Sequence, residues 1–215
     1  DDTHVYGKYN GGSVFCFDQA NGTLVWERKV SPGVIDGQLI LGEGNGLIVH
    51  SNDFKVYMLD KKSGAPIWKA SVSDSNPNRI KVGTPAVTED GQIYVINAEN
   101  ELVSLSTKDG SKNWSVAVNG NVNKTVTVGD DGTIYLVGSD NVHAFQGTSG
   151  PPKDAPWPMF QQNRRNSGNA HDGSESQSVN QPTSLELANE KGNLNPAPTD
   201  ILLAANSIEE NEPAG

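Results

Sequence analysis

The sequence has only one cysteine, Cys16, among its 215 residues, which excludes an intrachain disulfide and any metal site built from several cysteines. It also lacks a run of the roughly 18 to 20 apolar residues that cross a membrane as a helix. Basic residues are few, 16 against 26 acidic ones, and the formal charge of -10 argues against a nucleic-acid partner. Because the first residues are neither an initiator Met nor a signal peptide, we expect a soluble segment cut from a longer protein.

Glycine is abundant, with 23 residues, and short runs of Val, Ile, Tyr, Phe and Trp alternate with turn residues. Many short apolar runs of this kind are typical of an all-β protein. The pattern stops near Gly168, after which the chain has no aromatic residue, eight of the 26 acidic residues and one of the 16 basic residues. Such a composition buries too little apolar surface to fold alone, so residues 169–194 are predicted to form a disordered linker.

One motif recurs four times before Gly168. Each copy is a short apolar run followed four positions later by a turn glycine: Val14–Asp18 with Gly22, Val56–Asp60 with Gly64, Leu102–Ser106 with Gly110, and Val142–Gln146 with Gly150. The glycines are 42, 46 and 40 residues apart, and a period of about 40 to 45 residues is typical of a propeller blade. A second hairpin between copies brings each repeat to four strands. We predict a β-propeller of four-stranded antiparallel blades, with just under four blades in residues 1–168.

Two of the repeats carry a family resemblance. The spacings Asp18/Gly22/Trp26 and Asp60/Gly64/Trp68 resemble the tryptophan-docking repeats of PQQ-like β-propellers, a group that includes quinoprotein dehydrogenases and an outer-membrane assembly scaffold lipoprotein. Propellers of this group usually have seven or eight blades, so the resemblance implies a partial ring. The stretch from Trp157 to Phe160 is similar to a closing segment of such propellers, and its prolines predict an edge or a non-strand segment.

The repeated residues are interpreted as structural. Indoles that recur once per blade are predicted to pack between neighbouring blades, and the turn glycines to supply a positive φ. The aspartates that precede the first two turns, Asp18 and Asp60, are predicted to accept hydrogen bonds from the backbone N–H groups of those turns. The residues assigned to blade packing are Trp26, Trp68, Trp114, Trp157, Gly22, Gly64, Gly110, Gly150, Asp18 and Asp60.

A catalytic alternative comes from the same resemblance. Quinoprotein dehydrogenases use a catalytic Asp, a calcium ion held by Glu and Asn, and in many members a vicinal Cys pair over the PQQ cofactor. Cys16 stands alone, at a repeat position that Met58, Ser104 and Ala144 occupy in the other copies, which favours a buried packing role. The four histidines show no metal-ligand spacing. We therefore predict no catalytic residue, no PQQ site and no enzyme activity in this segment.

The end of the chain carries a second resemblance. Residues 195–215 resemble the opening strand of a bacterial cadherin-like repeat, in which the Glu of a Glu-Asn pair before Pro helps to bind calcium. That Glu corresponds to Glu210 here. Calcium takes roughly six to eight oxygen ligands, so Glu210 would need ligands beyond this segment.

These observations predict a non-catalytic binding or scaffold segment of a large multidomain bacterial protein. The expected role is adhesion through a protein or glycan ligand, at the cell surface, outside the cell or in the periplasm. Open propeller edges are also expected to self-associate. Two alternatives remain: part of a PQQ- and calcium-dependent dehydrogenase, or an outer-membrane assembly scaffold, which predicts no further domains.

Overall fold

The computed structural model describes residue 1, residues 3–9, 11–42, 44–73, 82–155 and 157–160, and the backbone of residues 200–203. These residues form four antiparallel sheets, which confirms the all-β prediction and the count of just under four blades. The described part of the chain contains no helix long and apolar enough to span a membrane.

Each sheet is a meander in which strands follow one another in sequence order. Blade 1 has three strands: β1 (His4–Tyr9), β2 (Ser13–Asp18) and β3 (Leu24–Lys29). Blade 2 comprises β4 (Ile40–Leu41), β5 (Gly46–Ser51), β6 (Lys55–Asp60) and β7 (Pro66–Ser71). Blade 3 comprises β8 (Ala86–Val87), β9 (Gln92–Ile96), β10 (Glu101–Ser106) and β11 (Lys112–Ala117). Blade 4 comprises β12 (Thr127–Val128), β13 (Ile134–Val137), β14 (Val142–Phe145) and β15 (Asp200–Leu203).

The core consists of layers between consecutive blades. Side chains alternate along a strand, so each blade has a back face toward the preceding blade and a forward face toward the next. On β6, Tyr57 and Leu59 pack against blade 1, whereas Val56 and Met58 pack against blade 3. Because both faces are covered, the middle of β6 is buried throughout. The same alternation on β2 directs Cys16 into the layer shared with blade 2, where the thiol is buried.

The outer strand of blade 4 comes from beyond the predicted linker. β15 pairs antiparallel with β14, and Ile201 lies opposite Ala144. This strand falls inside residues 195–215, where the sequence predicts the start of a cadherin-like repeat. The rest of that segment, with Glu210, and the predicted linker 169–194 lie outside the described residues, so both assignments stay predictions.

The proline-rich residues 151–155 and 157–160 return from blade 4 to the innermost strands of blades 2 and 3. Leu41 and Trp157 exchange backbone hydrogen bonds of 2.8 and 3.2 Å, and the Val87 N–H donates to the carbonyl of Pro158 at 2.9 Å. A proline has no N–H to donate, but its carbonyl still accepts, which is why this segment can lie along a strand edge. We call residues 151–160 the closing segment.

Candidate functional site

Trp26 connects blade 1 to blade 2 through a hydrogen bond and a ring contact. Its indole Nε1 donates a hydrogen bond of 3.0 Å to the carbonyl oxygen of Lys61, in the β6–β7 turn. The ring covers Gly64, where an added Cβ would lie 2.6 Å from ring carbon Cε3. Gly64 also has a φ of 67°, in the left-handed region. Glycine is thus required both by the turn and by the close approach of the indole.

The junction between blades 2 and 3 repeats this geometry. The Nε1 of Trp68 donates to the carbonyl oxygen of Thr107 at 2.9 Å, and an added Cβ at Gly110 would lie 2.6 Å from its ring. Gly110 has a φ of 74°. Because the donor, acceptor and glycine recur one repeat later, the indole contact is a property of the repeat rather than of one site.

The carboxylates before these turns cap backbone groups. Asp60 Oδ1 accepts from the N–H groups of Lys62 and Ser63 at 3.1 and 2.8 Å. The Ser63 hydroxyl donates to the same oxygen, and these bonds lower the pKa of Asp60. Asp18 Oδ1 accepts from Ala20 and Asn21 N–H in the equivalent turn of blade 1.

Trp114 and Trp157 lie in different surroundings from Trp26 and Trp68. Trp114 packs against the layer between blades 3 and 4 and against Tyr94, with ring centroids 5.7 Å apart. Gly150, at the repeat position of Gly64, does not have a positive φ, which differs from the expectation for the turn glycines. Trp157 belongs to the closing segment and packs on two layers at the inner strands.

The turn of blade 4 is held by a carboxylate of blade 3. Asp90 Oδ1 accepts from the Ser149 hydroxyl at 2.9 Å, and its Oδ2 accepts from the Thr148 hydroxyl. Thr88 and Gln92 donate to the same carboxylate at 2.6 and 2.8 Å. Partial burial of the carboxylate opposes its charge, but hydrogen bonds from these four side chains outweigh that effect and lower the pKa of Asp90. Asp90 therefore stays ionised and ties the Thr148–Ser149 turn to blade 3.

A cleft of about 350 Å³ opens between blades 2 and 3, at the end of the sheets that carries the β4–β5 and β8–β9 turns. Its apolar wall comes from Ile48, Met58 and Val87, while Glu89 and Asp90 stand exposed at the rim. Pro152 of the closing segment also lines it. In the sequence, Asp90-Gly91 indicates only a hairpin turn. The cleft could not be predicted from it, because three segments that are distant along the chain line the cleft.

The histidines and Cys16 do not form a metal site among the described residues. No group of three or more His, Cys, Asp or Glu among the described residues is placed to hold a metal ion. His50 is buried, its Nδ1 lies 3.3 Å from the carbonyl oxygen of Gly83, and burial lowers its pKa to about 4. Burial also raises the pKa of the Cys16 thiol. His143 is buried on the back face of blade 4, stacked on Phe145.

Consecutive four-stranded blades joined by indoles over turn glycines define a PQQ-like β-propeller. The family described as outer membrane protein assembly factor BamB matches residues 10–82 and residues 52–153, and the chain belongs to this family.

A relative of the same name from Moranella endobia (strain PCIT) is 26% identical over 156 residues, which cover 65% of this chain and 37% of the relative. A solved structure of BamB from Moraxella catarrhalis aligns with a TM-score of 0.53 and 20% identity, over 70% of this chain and 44% of that chain. That likeness supports the fold alone. The chain spans less than half the length of both proteins.

The adhesion prediction is wrong. The family and the relative from Moranella endobia are named for outer membrane protein assembly, which agrees with the scaffold alternative and not with adhesion by a large secreted protein. The adhesion prediction depended on a calcium-stiffened stalk inferred from residues 195–215, and residues 200–203 instead pair with β14 of the propeller. Neither matched range reaches that segment.

Proposed function

We propose that this chain is part of a non-catalytic scaffold propeller that acts in outer membrane protein assembly, in the bacterial cell envelope on the periplasmic side. The observation that supports this function is the family match across residues 10–153, which includes all or part of every blade. Each pair of neighbouring blades shares a buried apolar layer, and indoles fasten two of the three junctions. Such a stack presents its turns to a partner at little entropic cost, because the turns are ordered before binding.

The cleft between blades 2 and 3 is proposed as the place where a protein partner inserts a side chain. Its wall of Ile48, Met58 and Val87 suits an aliphatic stem, and the rim carboxylates of Glu89 and Asp90 suit a cation. A lysine or arginine side chain combines both properties. The Asp90 carboxylate already accepts four hydrogen bonds, so Glu89 is the residue that remains to attract the partner's charge.

Gene deletion in the source bacterium tests the function. We expect lower levels of β-barrel proteins in the outer membrane, restored by the full-length gene. The Glu89→Lys variant should restore them poorly, because it reverses the charge at the cleft. Asp140→Lys is the matched control, since Asp140 is an exposed carboxylate in the β13–β14 turn, at the opposite end of the sheets.

Two results would contradict the proposal. The first is an unchanged set of outer membrane proteins in the deletion strain. The second is turnover of an alcohol or sugar by the purified full-length protein with PQQ, calcium and a reducible dye, which would favour the dehydrogenase alternative. Equal restoration by Glu89→Lys and Asp140→Lys would contradict the assignment of the cleft while leaving the assembly role in place.

A further inference from the structure

The three sulfur-containing residues of the chain, Cys16, Met58 and Met159, differ in their surroundings. Cys16 and Met159 are 0% and 1% exposed, inside the layers between blades 1 and 2 and between blades 3 and 4. Met58 is 6% exposed and lines the cleft of about 350 Å³ between blades 2 and 3. Met58 therefore carries the sulfur atom that a small molecule can approach without opening a layer between blades.

A glycine leaves the Met58 sulfur open on the side of the cleft. An added Cβ at Gly46 would lie 2.7 Å from Sδ of Met58 and 3.3 Å from its Cε, so the glycine lies directly against the thioether. Gly46 is the first residue of β5 and also lines the cleft. Because glycine has no side chain, this residue does not cover the sulfur.

The equivalent position of blade 3 is covered by a side chain. Ser104 is the counterpart of Met58 in the repeat. Gln92 is the counterpart of Gly46, because β9 and β10 pair in the same register as β5 and β6. The Ser104 hydroxyl donates to Gln92 Oε1 at 2.6 Å, and Ser104 is completely buried. Blade 3 thus fills the space that blade 2 leaves open beside Met58.

We propose that Met58 is an oxidation site, at which hydrogen peroxide that enters the cleft converts the thioether to a sulfoxide. The sulfur lone pair attacks one peroxide oxygen, so that an S–O bond forms as the O–O bond breaks. The proton on the transferred oxygen passes to the departing hydroxide, which leaves as water. The sulfur loses two electrons and the peroxide gains them.

Oxidation changes the apolar wall of the cleft, so its effect on a partner rests on the proposed function. A sulfoxide is polar, whereas Ile48 and Val87 in the same wall are apolar. An aliphatic stem against this wall would desolvate the sulfoxide oxygen without giving it a hydrogen bond, which costs binding free energy. Oxidation of Met58 therefore weakens the binding of a partner side chain in the cleft.

Peptide mass spectrometry of the folded full-length protein, treated with hydrogen peroxide, tests the oxidation site. We expect Met58 to gain one oxygen atom about tenfold faster than Met159, because Met58 lines the cleft and Met159 lies inside a layer. Far-UV circular dichroism during the treatment checks that the protein stays folded. In denaturing urea the two rates should become equal, since both thioethers are then exposed. Equal rates in the folded protein, or faster oxidation of Met159, would overturn the proposal.

Two variants expressed in the deletion strain test the effect on the cleft. Met58→Gln places a polar side chain of similar length in the wall, so we expect it to restore outer membrane β-barrel proteins poorly. Val25→Gln is the matched control, because Val25 is 45% exposed on β3, away from the cleft. Circular dichroism of both purified variants separates a loss of binding from a loss of folding.

The outcomes distinguish this inference from the proposed function. Equal restoration by Met58→Gln and Val25→Gln would overturn the effect of oxidation on binding. An unchanged set of outer membrane proteins in the deletion strain would contradict the proposed function instead, and the mass spectra would still decide whether Met58 is the oxidation site.

Discussion

Two ways of joining blades coexist in this molecule. At the first two junctions an indole of one blade covers the turn glycine of the next and donates to a turn carbonyl. At the third junction Asp90 of blade 3 binds the equivalent turn of blade 4 through Thr148 and Ser149. The indole contacts themselves carry no charge, although Asp1 also forms an ion pair of 3.2 Å with Lys61 across the first junction. The contact at the third junction depends on the Asp90 carboxylate. Blade 4 is therefore attached through a titratable carboxylate, so its attachment should respond to pH.

Truncation of the docking tryptophans should give the largest effects. We expect Trp68→Ala to lower the free energy of unfolding by about 4 kcal/mol, and Trp114→Ala by about 3 kcal/mol. The difference of about 1 kcal/mol reflects the hydrogen bond to Thr107 and the close fit on Gly110, which distinguish Trp68. Urea denaturation followed by far-UV circular dichroism measures both values. Equal losses would contradict the distinction between the junctions.

Substitution of the turn glycines separates backbone strain from indole docking. Gly64→Val and Gly22→Val both place a side chain at a positive φ, which costs about 1 to 2 kcal/mol. At Gly64 the valine must also displace the Trp26 ring, so we expect a total loss of about 3 kcal/mol. The same urea titration compares the two variants, with Gly22→Val as the matched control. If both variants lost the same amount, strain alone would explain the need for glycine.

The repeat made the fold predictable from the sequence. Residues such as Gly64 and Trp68 recur at nearly constant spacing. Each of them recurs for a local physical reason, either a positive φ in the turn or a large apolar ring between blades. The blade count and the order of strands follow from that spacing. Such patterns can be recognised in the sequence because residues that are close together along the chain form them.

Contacts between distant segments were not predictable in the same way. β15 is only four residues long and lies more than 50 residues after β14, without a docking tryptophan at Ile201 to mark it. The pairing of Trp157 with Leu41 was equally unpredictable, because a proline-rich segment does not show the sequence pattern of a strand. Asp90 resembles a hairpin residue in the sequence, and its bonds to Thr148 and Ser149 exist only once the blades are stacked.

Removal of the Asp90 charge should have a smaller effect than the glycine substitutions. Asp90→Asn keeps the size of the side chain but replaces one acceptor oxygen by an NH₂ group, so part of the network around Thr148 is lost. We expect about 1 kcal/mol of destabilisation, reduced from the usual value for charged hydrogen bonds because the carboxylate is exposed. Asp60→Asn is the control, since its bonds stay within one turn. Amide exchange of β14 should rise in Asp90→Asn and stay unchanged in Asp60→Asn.

Acid should weaken the third junction before the second. The pKa of Asp90 is lowered in the folded protein, so its contribution to stability is complete above the unfolded-state value, about 3.9 for Asp, and is lost as the pH falls through the folded value. The indole contact of Trp68 at the second junction contains no group that titrates in this range. In amide NMR spectra recorded from pH 6 downward, we expect the signals of β14 to shift at a higher pH than those of β6. Simultaneous shifts, or an unchanged order in Asp90→Asn, would show that the carboxylate does not control the attachment of blade 4.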